Sequence, residues 1–223
     1  MQTSVRKSSG ARSLSGLYVI LDPSISPHRP LVDVLKVSAA AGAKLFQYRN
    51  KTDSMKAAYA EASVLRNVAR ELGVLFIVND RCDLALSVDA DGVHLGQGDL
   101  PLSLARAVMG PDKLIGISTH NPEQVSAAIA GGPDYLGFGP IFKPSSKADH
   151  DPVVGIKGLK GIRLLTALPI FAIGGITLQD VEEVIRAGAD GVAVISAILK
   201  APNIQHAVND FVLRIPAPTS PAS

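Results

Sequence analysis

Gln47, Tyr48, Arg49, Asn50 and Lys51 bring an amide, a guanidinium and an ammonium together in five residues that include no acid. The preceding Ala43-Lys44-Leu45-Phe46 reads as a short strand. Side chains alternate along a strand, so Gln47 and Arg49 share one face, Tyr48 takes the other and Lys51 lies just past the end. An arginine fork matches phosphate oxygens two at a time, and lysine adds a mobile point charge. The stretch suits a polyanionic substrate. It also suits a strand running into a solvated basic loop.

Other reactive groups follow further apolar runs. Asp80 and Asp99 offer hard oxygen ligands, and Mg2+ is normally held by one or two carboxylates together with substrate phosphates and water. Each also fits a plainer role, Asp80 as the cap of a short helix and Asp99 as an N-cap ahead of Pro101. Asn79 suits contact with a substrate ring or a metal-bound water, or simply a turn. Gly174-Gly175, Thr177 and Ser196 suit a phosphate cup, because glycine allows close backbone approach and helix starts present free N–H groups. Gly-Gly is equally a tight turn. Pro144-Ser145-Ser146-Lys147, with Asp149 and His150, lies in a loop long enough to be a lid over a diphosphate, or a surface loop. His94 and His120 have no readable carboxylate partner and read as packed or surface histidines. Cys82 opens a helix, a position that lowers a thiol pKa. No triad spacing accompanies it, so it reads as structural.

The elements that must position these groups alternate strictly. Apolar runs predict strands at 17–22, 44–49, 74–79, 92–95, 114–118, 135–139, 170–174 and 191–195. Helical periodicity falls near 31–42, 54–72, 82–88, 101–109, 121–131, 156–167, 177–187 and 203–214. Asp53 or Ser54, Pro101 and Pro122 supply starts, and Gly73, Gly110, Gly131 and Gly188 supply stops. Strict alternation implies parallel strands with crossover helices, and strands such as Leu75-Phe76-Ile77-Val78 are continuously apolar, as burial on both faces requires. Eight units in this length predict a single (β/α)8 TIM barrel at 16–215. A doubly wound sheet is the alternative, but no Gly-x-Gly-x-x-Gly follows the first strand. A barrel carries its chemistry at the C-terminal strand ends, which is where the residues above fall.

Composition narrows the function. Of 22 basic residues, Arg6, Lys7 and Arg12 sit in the first 15, so the remaining 19 face 20 acids and the body is nearly neutral. That argues against a nucleic-acid surface. No apolar run reaches the length of a membrane helix. One cysteine excludes an internal disulfide and fits a reducing, cytoplasmic setting. Segments 1–15 and 216–223 read as disordered tails; the first is rich in Ser and Arg, with a transit-peptide flavour but no apolar core of a secretory signal.

Together with Asp91-Gly92-Val93-His94-Leu95-Gly96-Gln97, Gly116-Ile117-Ser118-Thr119-His120, Gly139-Pro140-Ile141-Phe142, Ile173-Gly174-Gly175-Ile176 and Ala189-Asp190-Gly191-Val192, the stretches around Gln47, Asn79 and Asp99 make the chain resemble the thiamine-phosphate synthase family from about 17 to 215. The resemblance implies a (β/α)8 transferase joining hydroxymethylpyrimidine diphosphate to a thiazole phosphate, or its carboxylated form, with release of pyrophosphate. It implies that Gln47, Arg49, Lys51, Asn79 and Lys147 hold the pyrimidine diphosphate, with Arg49, Lys51 and Lys147 catalytic. It implies that Asp80 and Asp99 hold Mg2+, and that Ser118, Gly175, Ile195 and Ser196 hold the thiazole phosphate. The family's lid usually reads Thr-x-Thr-Lys; here Pro144 lacks the first hydroxyl, while Ser146 keeps the second as a substrate contact. The partners implied are small molecules, with no nucleic acid, no membrane and a possible homo-oligomer. Two alternatives share the barrel: a thiazole tautomerase, which needs neither the basic strand end nor two carboxylates, and a silent ligand-binding paralogue.

Overall fold

The computed structural model describes residues 14–143 and 151–216. Eight parallel strands close into a barrel in sequence order: β1 (Gly16–Leu21), β2 (Leu45–Tyr48), β3 (Leu75–Asn79), β4 (Gly92–Leu95), β5 (Leu114–Thr119), β6 (Tyr135–Phe138), β7 (Ile170–Ile173) and β8 (Gly191–Val194). Closure is made by β1, which pairs with β2 through Val19↔Phe46 and with β8 through Val19↔Val194. The helices wrapped outside are α1 (Leu31–Ala40), α2 (Met55–Glu71), α3 (Cys82–Ser87), α4 (Leu102–Met109), α5 (Pro122–Gly131), α6 (Gly155–Arg163), α7 (Val181–Arg186), α8 (Ser196–Leu199) and α9 (Ile204–Arg214). The (β/α)8 expectation holds. No helix among the described residues is long and apolar enough to cross a membrane.

The strand period of two divides the apolar residues into two cores. Leu17, Val19 and Leu21 face the helices, whereas Tyr18 and Ile20 point inward with Leu45, Ile77, Tyr135, Phe171 and Ala193. Tyr18, Tyr135 and Phe171 fill the interior edge to face, with ring centroids 5.2–6.0 Å apart. That is the arrangement favoured by opposed ring quadrupoles. Leu14, read from sequence as tail, is buried in this inner core.

Several element ends differ from the sequence reading for local reasons. Ser54, rather than Asp53, caps α2 by accepting from the Ala57 N–H. Gly131 is still helical, and Gly132 in the left-handed region ends α5. The region read as one helix at 177–187 begins as a 3-10 turn, Leu178–Asp180, with Thr177 and Asp180 forming a capping box, before α7. Ile195 has left the ladder of β8 and stands at the N-cap of α8.

A repeated ion pair ties the barrel at the N-terminal strand ends. Arg66 on α2, Arg106 on α4 and Arg163 on α6 reach Asp91, Asp134 and Asp190, which immediately precede or lead into β4, β6 and β8, at 3.1, 2.6 and 2.9 Å. Each aspartate also accepts the first or second backbone N–H of the preceding strand, from Phe76, Ile115 and Ile170, at 2.8 Å. Conservation of geometry at this end serves stability, away from the chemistry. Arg106 additionally donates to the Gly110 and Lys113 carbonyls. Arg106→Ala is therefore expected to lower the unfolding free energy by about 1.5–3 kcal/mol while leaving kinetic constants unchanged. Urea unfolding checks the first part, and an unchanged midpoint would show the network to be dispensable.

Candidate active site

The C-terminal strand ends open into a cavity of about 1120 Å3. Gln47, Arg49, Lys51, Asn79, Asp80, Asp99, Ser118, Gly175, Ile195 and Ser196 all line it. Ser146 and Lys147, with Pro144, lie outside the described residues.

Strand alternation does what the first stretch predicts. Gln47 is buried and donates inward to the Tyr18 hydroxyl, whereas Tyr48 points outward and donates to Glu61 on α2. Arg49 continues the inward face and pairs with Asp22, itself buried and accepting from both the N–H and the hydroxyl of Ser24. A guanidinium tethered this way is preorganised, with part of its fork directed by a fixed carboxylate. Asp22 went unnoticed among the sequence candidates. It ends the first predicted strand, so the strand-end rule applied to that strand would have found it.

On the next strand ends, Lys51 pairs with Asp80 at 3.0 Å. Asp80 sits at φ 64°, an uncommon conformation for a residue with a side chain, and its N–H donates to the His94 carbonyl at 2.7 Å. Asp99 accepts from the Gly96 N–H at 2.7 Å. Neither aspartate is a helix cap: α3 and α4 begin after Arg81 and Pro101 with no side-chain cap. Burial raises the pKa of Asp99; the Gly96 N–H opposes this, the neighbouring Asp80 carboxylate raises it further and Lys51 lowers it. Two close carboxylates in a cavity, one reluctant to ionise, form a hard oxygen pair that fits a divalent cation. Among the described residues no group of three or more acidic, histidine or cysteine side chains could hold a metal, so further ligands would have to come from substrate or water.

Across the cavity, Gly174 and Gly175 adopt φ 97° and 64°. A Cβ on Gly175 would come within 2.8 Å of the Lys143 and Phe142 backbone. The need for glycine is thus a close approach of two loops, and not only room for a ligand. Ser196 opens α8, so its N–H has no partner within that helix.

The remaining candidates resolve differently. His94 is buried between Tyr135 and Ser118, and burial pushes its pKa down to about 4, so it is neutral. His120 donates through Nδ1 to the Gly139 carbonyl and has Asp151 3.5 Å from Nε2, a carboxylate partner that sequence did not reveal. Cys82 corrects the helix-start expectation: its thiol pKa is raised, by burial first and then by Asp83 and Asp99. Desolvation and two nearby acids outweigh the opening turn of a six-residue helix.

Comparison with known proteins agrees with this geometry. The profile of the family described as thiamine monophosphate synthase matches residues 17–198. A thiamine-phosphate synthase of Chloroflexus aurantiacus is 46% identical over 195 residues, covering 87% of this chain and 90% of that protein. One from Methanospirillum hungatei is 45% identical over 196 residues, covering 88% and 95%. The solved structure of a thiamine phosphate pyrophosphorylase from Pyrococcus furiosus superposes with a TM-score of 0.81 at 36% identity, covering 90% of this chain and 95% of that one. The chain belongs to the thiamine monophosphate synthase family.

Proposed function

We propose that this chain is a transferase that joins hydroxymethylpyrimidine diphosphate to a thiazole phosphate, forming thiamine phosphate and pyrophosphate. The carrying observation is the division of one cavity into two anion-binding sides. Arg49, Lys51, Asp80 and Asp99 gather on one side, and the Gly174-Gly175 turn and the start of α8 on the other. The tautomerase and silent-paralogue readings gain no support from the relatives, which are synthases by name.

In this reading Gln47, Arg49, Lys51 and Asn79 hold the pyrimidine diphosphate, and Asp80 and Asp99 hold Mg2+. Bound there, Mg2+ would supply Lewis-acid stabilisation of diphosphate oxygens. Arg49 and Lys51 stabilise the negative charge that grows on departing pyrophosphate. The pyrimidine-methyl cation left behind is captured by the thiazole nitrogen, so the protein needs no nucleophile, which agrees with the buried Cys82. Ser118 and the backbone at Gly175, Ile195 and Ser196 hold the thiazole phosphate. Ser146 and Lys147 complete the diphosphate side.

The test is turnover: purified chain, both substrates and Mg2+, with thiamine phosphate detected by conversion to fluorescent thiochrome phosphate. No product above a protein-free control would overturn the reading. Gly175→Ala is expected to raise KM for the thiazole phosphate and also to lower thermal stability. The left-handed backbone there costs about 1–2 kcal/mol with a side chain, and the Phe142-Lys143 backbone must move. An increase in KM for the pyrimidine diphosphate alone would contradict the assignment.

A further inference from the structure

A chain of buried polar groups crosses the barrel beneath the cavity. Gln47 Nε2 donates to the Tyr18 hydroxyl at 2.9 Å, and that hydroxyl lies 2.9 Å from the Tyr135 hydroxyl. Tyr135 stands 3.1 Å from His94 Nδ1, and His94 Nε2 stands 2.9 Å from Ser118 Oγ. The five residues come from five different strands, and only Ser118 is appreciably exposed to the cavity. Gly116 and Gly137 make the room. A Cβ at Gly116 would approach the Tyr135 ring to 2.1 Å and His94 Nδ1 to 2.5 Å.

Proton counting gives the chain a direction. A phenol carries one proton and a neutral imidazole one N–H. Tyr18 accepts from Gln47, and among the described residues its own proton has one acceptor within reach, Tyr135. Leaving it without one inside the barrel would cost the desolvation of a hydroxyl. Tyr135 then accepts from Tyr18 and passes its proton to His94 Nδ1. His94 must carry its proton on Nε2, which donates to Ser118 Oγ. The Ser118 proton is left with no role inside the chain.

We propose that Tyr18, Tyr135 and His94 are positioning residues. They hold Ser118 as an acceptor toward His94 and thereby turn its hydroxyl proton into the cavity, as a donor to the thiazole phosphate. The inference rests on the reading of Ser118 as a contact to that phosphate. The reverse polarity would spend the Ser118 proton on His94 and set oxygen lone pairs against phosphate oxygens. Gln47 on the diphosphate side thus sets a hydrogen-bond direction on the thiazole side.

Two measurements test this. Nitrogen-15 spectra of histidine-labelled full-length chain at neutral pH, with His94 assigned by its loss in His94→Asn, should show the Nε2–H tautomer. The Nδ1–H tautomer would overturn the proposal without any altered residue in the reported state. Kinetically, Ser118→Ala and Tyr135→Phe should each raise KM for the thiazole phosphate by about tenfold, and the double variant should be little worse than either, as coupled sites require. KM for the pyrimidine diphosphate should stay within about twofold, a split that general loosening of the barrel would not produce. If Ser118→Ala leaves the thiazole KM unchanged, the Ser118 assignment itself fails. If Ser118→Ala raises it but Tyr135→Phe does not, or the two effects add fully, the positioning role fails alone.

Discussion

Arg49→Ala is expected to lower kcat by a factor of about 30 to 1,000, corresponding to about 2–4 kcal/mol of barrier. Arg49 stands where charge accumulates as pyrophosphate leaves, so it stabilises the transition state more than the bound substrate. Asp22 fixes its position before substrate arrives, and Ser24 in turn fixes Asp22. The thiazole side grips a phosphate that does not change in the reaction, so KM for that substrate should move little. Removing Arg49 also leaves Asp22 buried without its cation, which should lower thermal stability. Adding Asp22→Asn should recover the stability but not kcat, separating the structural loss from the catalytic one. Steady-state kinetics with each substrate varied in turn decides the matter. A rise only in KM for the thiazole phosphate, with kcat unchanged, would mean that the two sides are assigned the wrong way round.

Asp80→Ala and Asp99→Ala are each expected to reduce turnover by about a hundredfold or more, since charge stabilisation by a bound cation is worth several kcal/mol. Both should weaken Mg2+ binding measured directly by calorimetry in the presence of pyrophosphate, with the fold intact by circular dichroism. The pH dependence follows from the raised pKa of Asp99. A protonated carboxyl is a poor ligand, so cation affinity is complete above that raised pKa and is lost as pH falls through it. Removing the Asp80 charge removes one cause of the shift, so in Asp80→Asn the remaining affinity should persist to lower pH. Undiminished activity in excess chelator would sink the metal assignment altogether.

How much of this was legible before folding depends on how local each cause is. Strand and helix identity follow from short-range periodicity and from glycines and prolines at turns, and here they suffice for eight alternating units and a barrel. The split between Gln47 and Tyr48 is equally local, because the pleat alone sends neighbouring side chains to opposite faces. Element ends were less legible: Gly131 or Gly132 as the stop of α5 depends on which residue takes the left-handed conformation. Pairings across the barrel were not legible at all. Asp22 meets Arg49 because β1 pairs with β2, and Arg66, Arg106 and Arg163 meet their aspartates because helices pack over the strand starts. Tyr18 and Tyr135 are 117 residues apart and touch only because β1 and β6 look into the same closed interior. Cys82 shows the limit most clearly. Its place at a helix start is written in the sequence, but the burial that raises its pKa comes from the packed fold, and desolvation outweighs the local field of a short helix. The sequence by itself determined which residues could reach the rim of a barrel; the tertiary structure decided which of them are tethered, which are neutral and which way a buried chain of protons points.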